Sequence, residues 1–379
     1  MKARLIALYL PQYHPTPEND FFWGKGFTEW RNVAKAKPLF KNHYQPRIPA
    51  DLGFYDLRVP EIREKQADMA KKYGIEGFCY WHYWFGNGKK ILEKPLEIVR
   101  DSHKPDFPFC IGWANHSWSN KTWEKTGRFK KETILLKQTY PGEHDIIEHF
   151  YYLLPFFKDK RYIKVDGNPL FMIFNPFEIP DNRILINTWT KLAIENGLKG
   201  IHFVARIETA ESNFTKGMVL SGDLTHKRFN KCLDWGYNSI YSVPVQAIKI
   251  IFTSTNKRIY NKILKKLGID KGLEKYDYKK IIDYMYCQED YKENVYPQIM
   301  PHWDNTPRQG KSGYIYTGES PELFGKQIDK AFNCVKHKQK EHRIIFVHSW
   351  NEWGEGAYLE PDLRYGTKYL EQIRERIQE

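Results

Sequence analysis

Eight short apolar runs, separated by longer stretches of helical character, constrain the fold of this chain more than any other feature. They are Leu5–Leu10, Gly77–Trp84, Phe109–Trp113, Leu170–Phe174, Ile201–Ala205, Tyr237–Ser242, Tyr296–Met300 and Ile344–His348. Between the first two, Pro60–Tyr73 has Pro at a first-turn position, apolar Ile62, Met69, Ala70 and Tyr73, then Gly74 as a stop. Glu143–Lys158, Asn182–Asn196, Pro321–Lys338 and Tyr365–Gln378 read as helices in the same way. Nearly continuous apolar strands alternating with helices predict a parallel sheet covered on both faces. Eight repeats in 379 residues favour an α/β fold of the (β/α)8 TIM-barrel type over an open sheet. No Gly/Ser linker or low-complexity tract divides the chain, so residues 1–379 are expected to form a single domain with insertions.

In such barrels the chemistry sits at the carboxyl ends of the strands. Here those ends are polar and aromatic. The first leads into Gln12, Tyr13 and His14, and the second carries Tyr80, Trp81, His82 and Trp84. The third gives Trp113, Asn115 and His116, the fourth Asn175, and the fifth Arg206. The seventh gives Trp303, Asp304 and Asn305, and the eighth Trp350, Asn351, Glu352, Trp353 and Glu355. Trp and Tyr faces pack on the C–H faces of sugar rings, while amides, His, Arg and carboxylates reach the hydroxyls. An apolar wall with a few placed polar groups therefore suits a carbohydrate.

The formal charge of +13 raises nucleic acid or an anionic surface as a partner. The aromatics cluster with Asn, His and Glu rather than with the lysines, which disfavours nucleic acid. Between Lys249 and Lys280 ten Lys/Arg face three Asp/Glu, so this stretch alone supplies +7. It lies in a basic helical insertion, residues 244–291, with amphipathic segments around Ile248–Phe252 and Tyr260–Leu267. That insertion reads either as a solvated lid or as a face for an anionic membrane surface, through residues 249–280. Five widely spaced cysteines without a C-x-x-C suggest reduced thiols. The first apolar run is too short for a signal-peptide core, and no run approaches a membrane span. The expected compartment is the cytoplasm, with the inner face of the membrane as a peripheral site.

Glycosidic cleavage uses two carboxyl groups, one protonating the leaving oxygen and one attacking, activating water or stabilising the cation. Glu352 and Glu355 stand three apart in a loop with Gly354 and Gly356, which can turn both side chains toward one cavity. No metal is expected. His14, His82, His116, His302 and His348 show no H-E-x-x-H spacing. A Ser/His/Asp hydrolase is disfavoured by the lack of G-x-S-x-G, and no cofactor is expected: G-x-G-x-x-G and Asp-x-Asp are missing, with Asp166-Gly167-Asn168 and Asp304-Asn305 the nearest approaches to the latter.

The stretches Leu8–His14, Gly26–Trp30, Gly77–Trp84, Trp303–Arg308 and Ser349–Gly356 resemble the WbsX-like family, described as glycosyltransferases of O-antigen and capsule biosynthesis. The resemblance runs from residue 5 to about 365. It adds Tyr9, Glu29, Trp30 and Arg308 to the candidate substrate-binding residues. That family in turn resembles glycoside hydrolase family 99, the endo-α-mannosidases and mannanases, which are (β/α)8 barrels. The resemblance implies that Glu352 acts as base toward the sugar's own 2-hydroxyl, giving a 1,2-anhydro intermediate with retention. It implies that Glu355 acts as general acid, then general base. Hydrolysis, transfer to another sugar, a transferase using a nucleotide-sugar or lipid-carrier donor, and a non-catalytic glycan-binding barrel all stay open at this point.

Overall fold

The computed structural model describes residues 2–120, 133–267 and 272–378. Its parallel strands are β1 (Arg4–Tyr9), β2 (Gly77–Trp84), β3 (Phe109–Trp113), β4 (Asn168–Ile173), β5 (His202–Glu208), β6 (Ser239–Val243), β7 (Val295–Tyr296), β8 (Gln298–Ile299) and β9 (Ile344–Val347). They hydrogen-bond in the order β7-β6-β5-β4-β3-β2-β1-β9-β8. The two ends of that path are β7 and β8, separated only by Pro297. The sheet therefore closes into a barrel of eight positions, with one position occupied by two short strands. The single apolar run expected at Tyr296–Met300 is broken because Pro297 has no N–H to give to a ladder. Its carbonyl still accepts the Phe346 N–H at 3.0 Å, so β9 continues across the break.

Every residue of β2, β3 and β6 is buried, as a parallel sheet wrapped by helices requires. The wrapping helices include α1 (Pro60–Lys72), α2 (Glu143–Phe157), α3 (Asn182–Glu195), α4 (Pro321–Val335) and α5 (Lys368–Gln378). Each lies within three residues of the sequence expectation at either end. Trp189 of α3 fills the gap between α2 and the sheet, its ring 4.9 Å from Phe171 and 5.8 Å from Phe150. Inside the barrel Gly112 is required by close approach: a Cβ there would lie 2.9 Å from the Trp81 ring.

The basic insertion is more integrated than its charge suggests. It forms helices Val245–Phe252 and Thr255–Lys266, then strand Glu274–Asp277, which pairs with Tyr314–Thr317. Ile248, Tyr276, Tyr278 and Met285 share a core with Met300, Trp303 and Tyr314. Several of its basic side chains are turned onto the protein itself. Lys249 Nζ sits 3.6 Å above the Tyr314 ring, Lys275 Nζ 3.4 Å above Phe40, and Arg258 donates to the Ser212 and Phe214 carbonyls. Part of the 249–280 stretch, residues 268–271, lies outside the described residues. Among the described residues no helix is long and apolar enough to cross a membrane.

Candidate active site

The loop after β9 carries the site, and it is fastened to the loop after β1. Asn351 Oδ1 accepts the Leu10 N–H at 2.7 Å while its Nδ2 donates to the Leu10 carbonyl at 3.0 Å. Tyr13 Oη donates to the Asn351 carbonyl at 2.5 Å and accepts the Trp353 N–H at 3.2 Å. The chain then makes one 3-10 turn, Trp353–Glu355, with Glu352 as its N-cap. Side chains three apart eclipse in a 3-10 turn, so Glu352 and Glu355 emerge on one side. Gly354 stands between them for want of space: a Cβ there would come within 1.8 Å of Glu29 Oε1.

One guanidinium joins three carboxylates. Arg308 Nη1 donates to Glu355 at 2.6 Å, Nη2 to Glu352 at 3.0 Å, and Nε to Glu29 at 2.9 Å. Glu29 is fully buried, whereas Glu355 keeps 22% of its side-chain surface open. Burial, together with the charges of Glu355 and Glu29, pushes the Glu352 carboxyl up despite Arg308. For Glu355 burial acts the same way, but Arg308 and His348, whose Nε2 is 3.9 Å away, outweigh it and hold the carboxyl low.

The pair opens onto a cavity of about 440 Å³. Of the residues expected from sequence, Gln12, Trp81, His116, Asn175, Arg206, Trp303 and Arg308 line it with Glu352 and Glu355. Arg206 stacks over Phe174 at 4.3 Å and pairs with Glu208 at 2.9 Å. Burial, then Arg206, lowers His116 to about 4, so its ring is neutral. Trp303 is held face-on by Tyr314, 5.2 Å between centroids.

The other expected residues point elsewhere. Alternation along β2 sends Trp81 and Tyr83 to the cavity and Tyr80, His82 and Trp84 to the helix layer. There His82 Nε2 meets His149 Nε2 at 2.9 Å and Trp84 donates to Asp145. Trp113 is on that outer face as well, its indole N–H on the Trp84 carbonyl and its ring against His149. Tyr9 follows the same alternation on β1 and donates to Gln66 of α1. His14 turns back onto the Pro11 carbonyl, and Trp30 donates to the Tyr55 carbonyl. Asn115 fastens two strand ends, accepting the Asn175 N–H and donating to its carbonyl. Trp350 is fully buried in the core, and Trp353 stacks on Tyr358 at 3.7 Å. Glu29, Tyr13 and Asn351 are likewise buried scaffold rather than cavity wall.

Asp304 and Asn305 are also buried, and they place Arg308. Asp304 accepts from Thr306 N and Oγ1 at the start of the short helix Thr306–Gln309, and from His43 Nε2 at 2.8 Å. His43 Nδ1 accepts the Leu39 N–H, which fixes the tautomer with the proton on Nε2. Asn305 accepts the Tyr314 N–H.

The cavity wall also holds Tyr83, Trp118 and His348, which stand in the strand-end segments without having been singled out as contacts, and Trp23 and Phe174, which sequence reasoning missed. All but Trp23 lie in or beside the strand ends, and strand alternation was the signal for Tyr83. Sequence reasoning also missed Glu360, a buried carboxyl that accepts from Trp353 Nε1, Gln66 Nε2 and Tyr55 Oη at 2.6, 2.6 and 2.9 Å. Among the described residues no group of three or more His, Cys, Asp or Glu is placed to hold a metal ion.

Comparison with known proteins fits this arrangement. A family described as Glycosyltransferase WbsX matches residues 5–373. The endo-α-mannosidase of glycoside hydrolase family 99 from Bacteroides thetaiotaomicron shares the fold at a TM-score of 0.53 and 14% identity, over 99% of this chain and 96% of that one. A glycoside hydrolase-like protein aligns at a TM-score of 0.55 and 14% identity, over 98% and 93% of the two chains. The fold shared with these structures is the TIM barrel. The chain belongs to the WbsX glycosyltransferase family. The uncharacterized protein WxcX of Xanthomonas campestris pv. campestris, in two strains, is 32% identical over 383 residues. Those matches cover all of this chain, which spans about half the length of these relatives.

Proposed function

We propose that this enzyme cleaves or transfers a glycosidic bond with retention, acting on a bacterial surface polysaccharide, such as O-antigen or capsule, or on its precursor. Glu352 takes the proton of the sugar's 2-hydroxyl. Glu355 protonates the leaving oxygen and then activates the water or hydroxyl that opens the 1,2-anhydro intermediate. The observation that carries this reading is the Glu352–Arg308–Glu355 bridge facing an aromatic cavity at the carboxyl end of the barrel. Hydrolysis and transfer differ only in what enters in the second step, so the same pair serves either. No nucleic-acid partner is part of this reading. The test is to incubate the enzyme with a panel of glycosyl fluorides and capsule oligosaccharides and follow the product anomer by NMR. Retention in the first-formed product is expected, and Glu355→Gln should lower turnover roughly 10² to 10⁴-fold with binding intact. An inverted first product, or full activity in that variant, would overturn the assignment.

A second reading concerns location, and a different observation favours it. Helix Thr255–Lys266 and the residue after it leave Ile259, Tyr260, Ile263 and Leu267 between 50% and 66% exposed. An exposed apolar stripe on a basic insertion suits an anionic membrane surface and supports the reading that the enzyme works in the cytoplasm at the inner face of the membrane. Ile259→Asp/Ile263→Asp should abolish salt-sensitive co-sedimentation with phosphatidylserine vesicles. Unchanged binding would remove the idea.

A further inference from the structure

Glu29 has no place in the two-carboxylate chemistry, yet it lies against it. Its loop enters between β1 and α1, and its side chain reaches Arg308, 279 positions away in sequence. It is fully buried, and among the described residues its hydrogen bonds come from Arg308 Nε and, at 3.4 Å on the same oxygen, the Asn32 amide, while its other oxygen, Oε2, is buried with no hydrogen-bond partner among them. A buried carboxylate so poorly satisfied leans on the one cation beside it. Three carboxylates thus divide one guanidinium, and whatever Glu29 holds is withheld from the other two.

We infer that Glu29 is a positioning residue: by anchoring Arg308 through Nε, it aims the two terminal nitrogens at Glu352 and Glu355 and limits how strongly they are held in their ionised forms. This rests on the functional reading above and names a residue that acts through Arg308 rather than on the sugar. The groups facing the pair are Arg308, His348 and Glu29, with Tyr83, Tyr314 and His116 further out. Of these, Glu29 is the carboxylate outside the pair: its charge raises Glu352, and its grip on Arg308 weakens the cation that lowers both members. Neutralising Glu29 removes both effects in the same direction. Glu352 and Glu355 should then both titrate at lower pH.

Glu29→Gln tests this with two readouts. The first is infrared titration of the buried carboxyl band, which needs no substrate. The second is the pH dependence of kcat/KM on whichever glycosyl fluoride the wild type turns over. Like charges at this range shift a carboxyl by about one unit or more. Both limbs should therefore move down by about one unit, and Glu29→Asp, which keeps the charge, should restore them even where kcat stays reduced. A folded Glu29→Gln variant with wild-type limbs and only a lower rate would overturn the inference, leaving Glu29 a packing residue. If Glu29→Gln fails to fold, the Asp variant decides: limbs shifted as far as by charge removal would count against it. Failure of the functional reading looks different. In that case Glu352→Gln and Glu355→Gln leave the rate profile unchanged, whatever Glu29 does to the infrared titration.

Discussion

Replacing Arg308 with Met should unfold the site electrostatically, and the size of the effect should depend on pH in a defined direction. The guanidinium makes contacts of 2.9, 2.6 and 3.0 Å to three carboxylates that are 0%, 22% and 10% exposed. Deleting one partner of a buried ion pair costs about 3–5 kcal/mol, because the charge left behind has no counterion. For a domain of this size that is a fall in Tm of about 4–6 °C at pH 7. The sign follows from Glu355, whose carboxyl Arg308 holds low. A lowered carboxyl contributes stability above its unfolded value near 4.3, and that contribution is lost as pH falls toward the folded value. The gap between wild type and Arg308→Met should therefore be widest at neutral pH and narrow steadily below about pH 4.3. Thermal unfolding followed by circular dichroism from pH 3.5 to 7.5 measures it. A gap of equal size across that range would mean that Arg308 acts by packing, and the electrostatic account would fail.

Two further outcomes follow from the same loop. Burial pushes Glu360 up to about 7 against the hydrogen bonds of Trp353, Gln66 and Tyr55. A raised carboxyl makes the folded state bind its proton more tightly, so wild-type stability should decline as pH rises from about 4.3 to 7 and level off above. Glu360→Gln cannot ionise and should lack that part of the slope in thermal melts; an unchanged slope would refute it. Gly354→Ala should displace Glu29 or Arg308, costing about 1–3 kcal/mol as an overpacked site does, and lower kcat with little change in substrate affinity. Wild-type kcat in a folded Gly354→Ala variant would show that the 1.8 Å approach is relieved harmlessly.

The barrel was legible because its signal is local: each buried strand is a run of apolar residues, and each run announces its helix. What was not legible was orientation across the barrel wall. The sequence Tyr80-Trp81-His82-Tyr83-Trp84 offers five plausible sugar contacts, and only the register of β2 sends Trp81 and Tyr83 inward, His82 and Trp84 toward α2, and Tyr80 against Tyr9 and Phe109. Trp113 was lost for the same reason, since its partner in register is His82. That Glu352 and Glu355 face one cavity was legible from their spacing in a glycine-containing loop, flanked by Trp350, Asn351 and Trp353 at a strand end. The third carboxylate was not, because Glu29 meets Arg308 and Gly354 through packing between segments about 280 and 325 residues apart in the chain, a contact no periodicity encodes. Glu360 escaped for the opposite reason: it looks like one more surface glutamate until three donors are seen to converge on it.

The resting charges of the pair make a last demand on mechanism. Burial raises Glu352 while Arg308 and His348 hold Glu355 low, which biases a shared proton toward Glu352, the residue proposed as base. Reaction needs the reverse, an ionised Glu352 and a protonated Glu355. The two are coupled, so the proton belongs to the pair and responds to what binds beside it. A sugar whose 2-hydroxyl donates to Glu352 stabilises a carboxylate there. A glycosidic oxygen against Glu355, with water excluded, favours the neutral acid. One proton then changes place with no net uptake, and binding energy is spent on arming the pair only when both groups of the correct sugar are seated. A 2-deoxy sugar lacks the first of them. It should bind in the aromatic cavity, leave the proton on Glu352 and not be cleaved. The full substrate should bind at pH 7 with near-zero proton exchange, measured by calorimetry in buffers of different ionisation enthalpy. Rapid cleavage of the 2-deoxy sugar, or isolation of a glycosyl ester on Glu352, would reject participation of the 2-hydroxyl and make Glu352 a direct nucleophile.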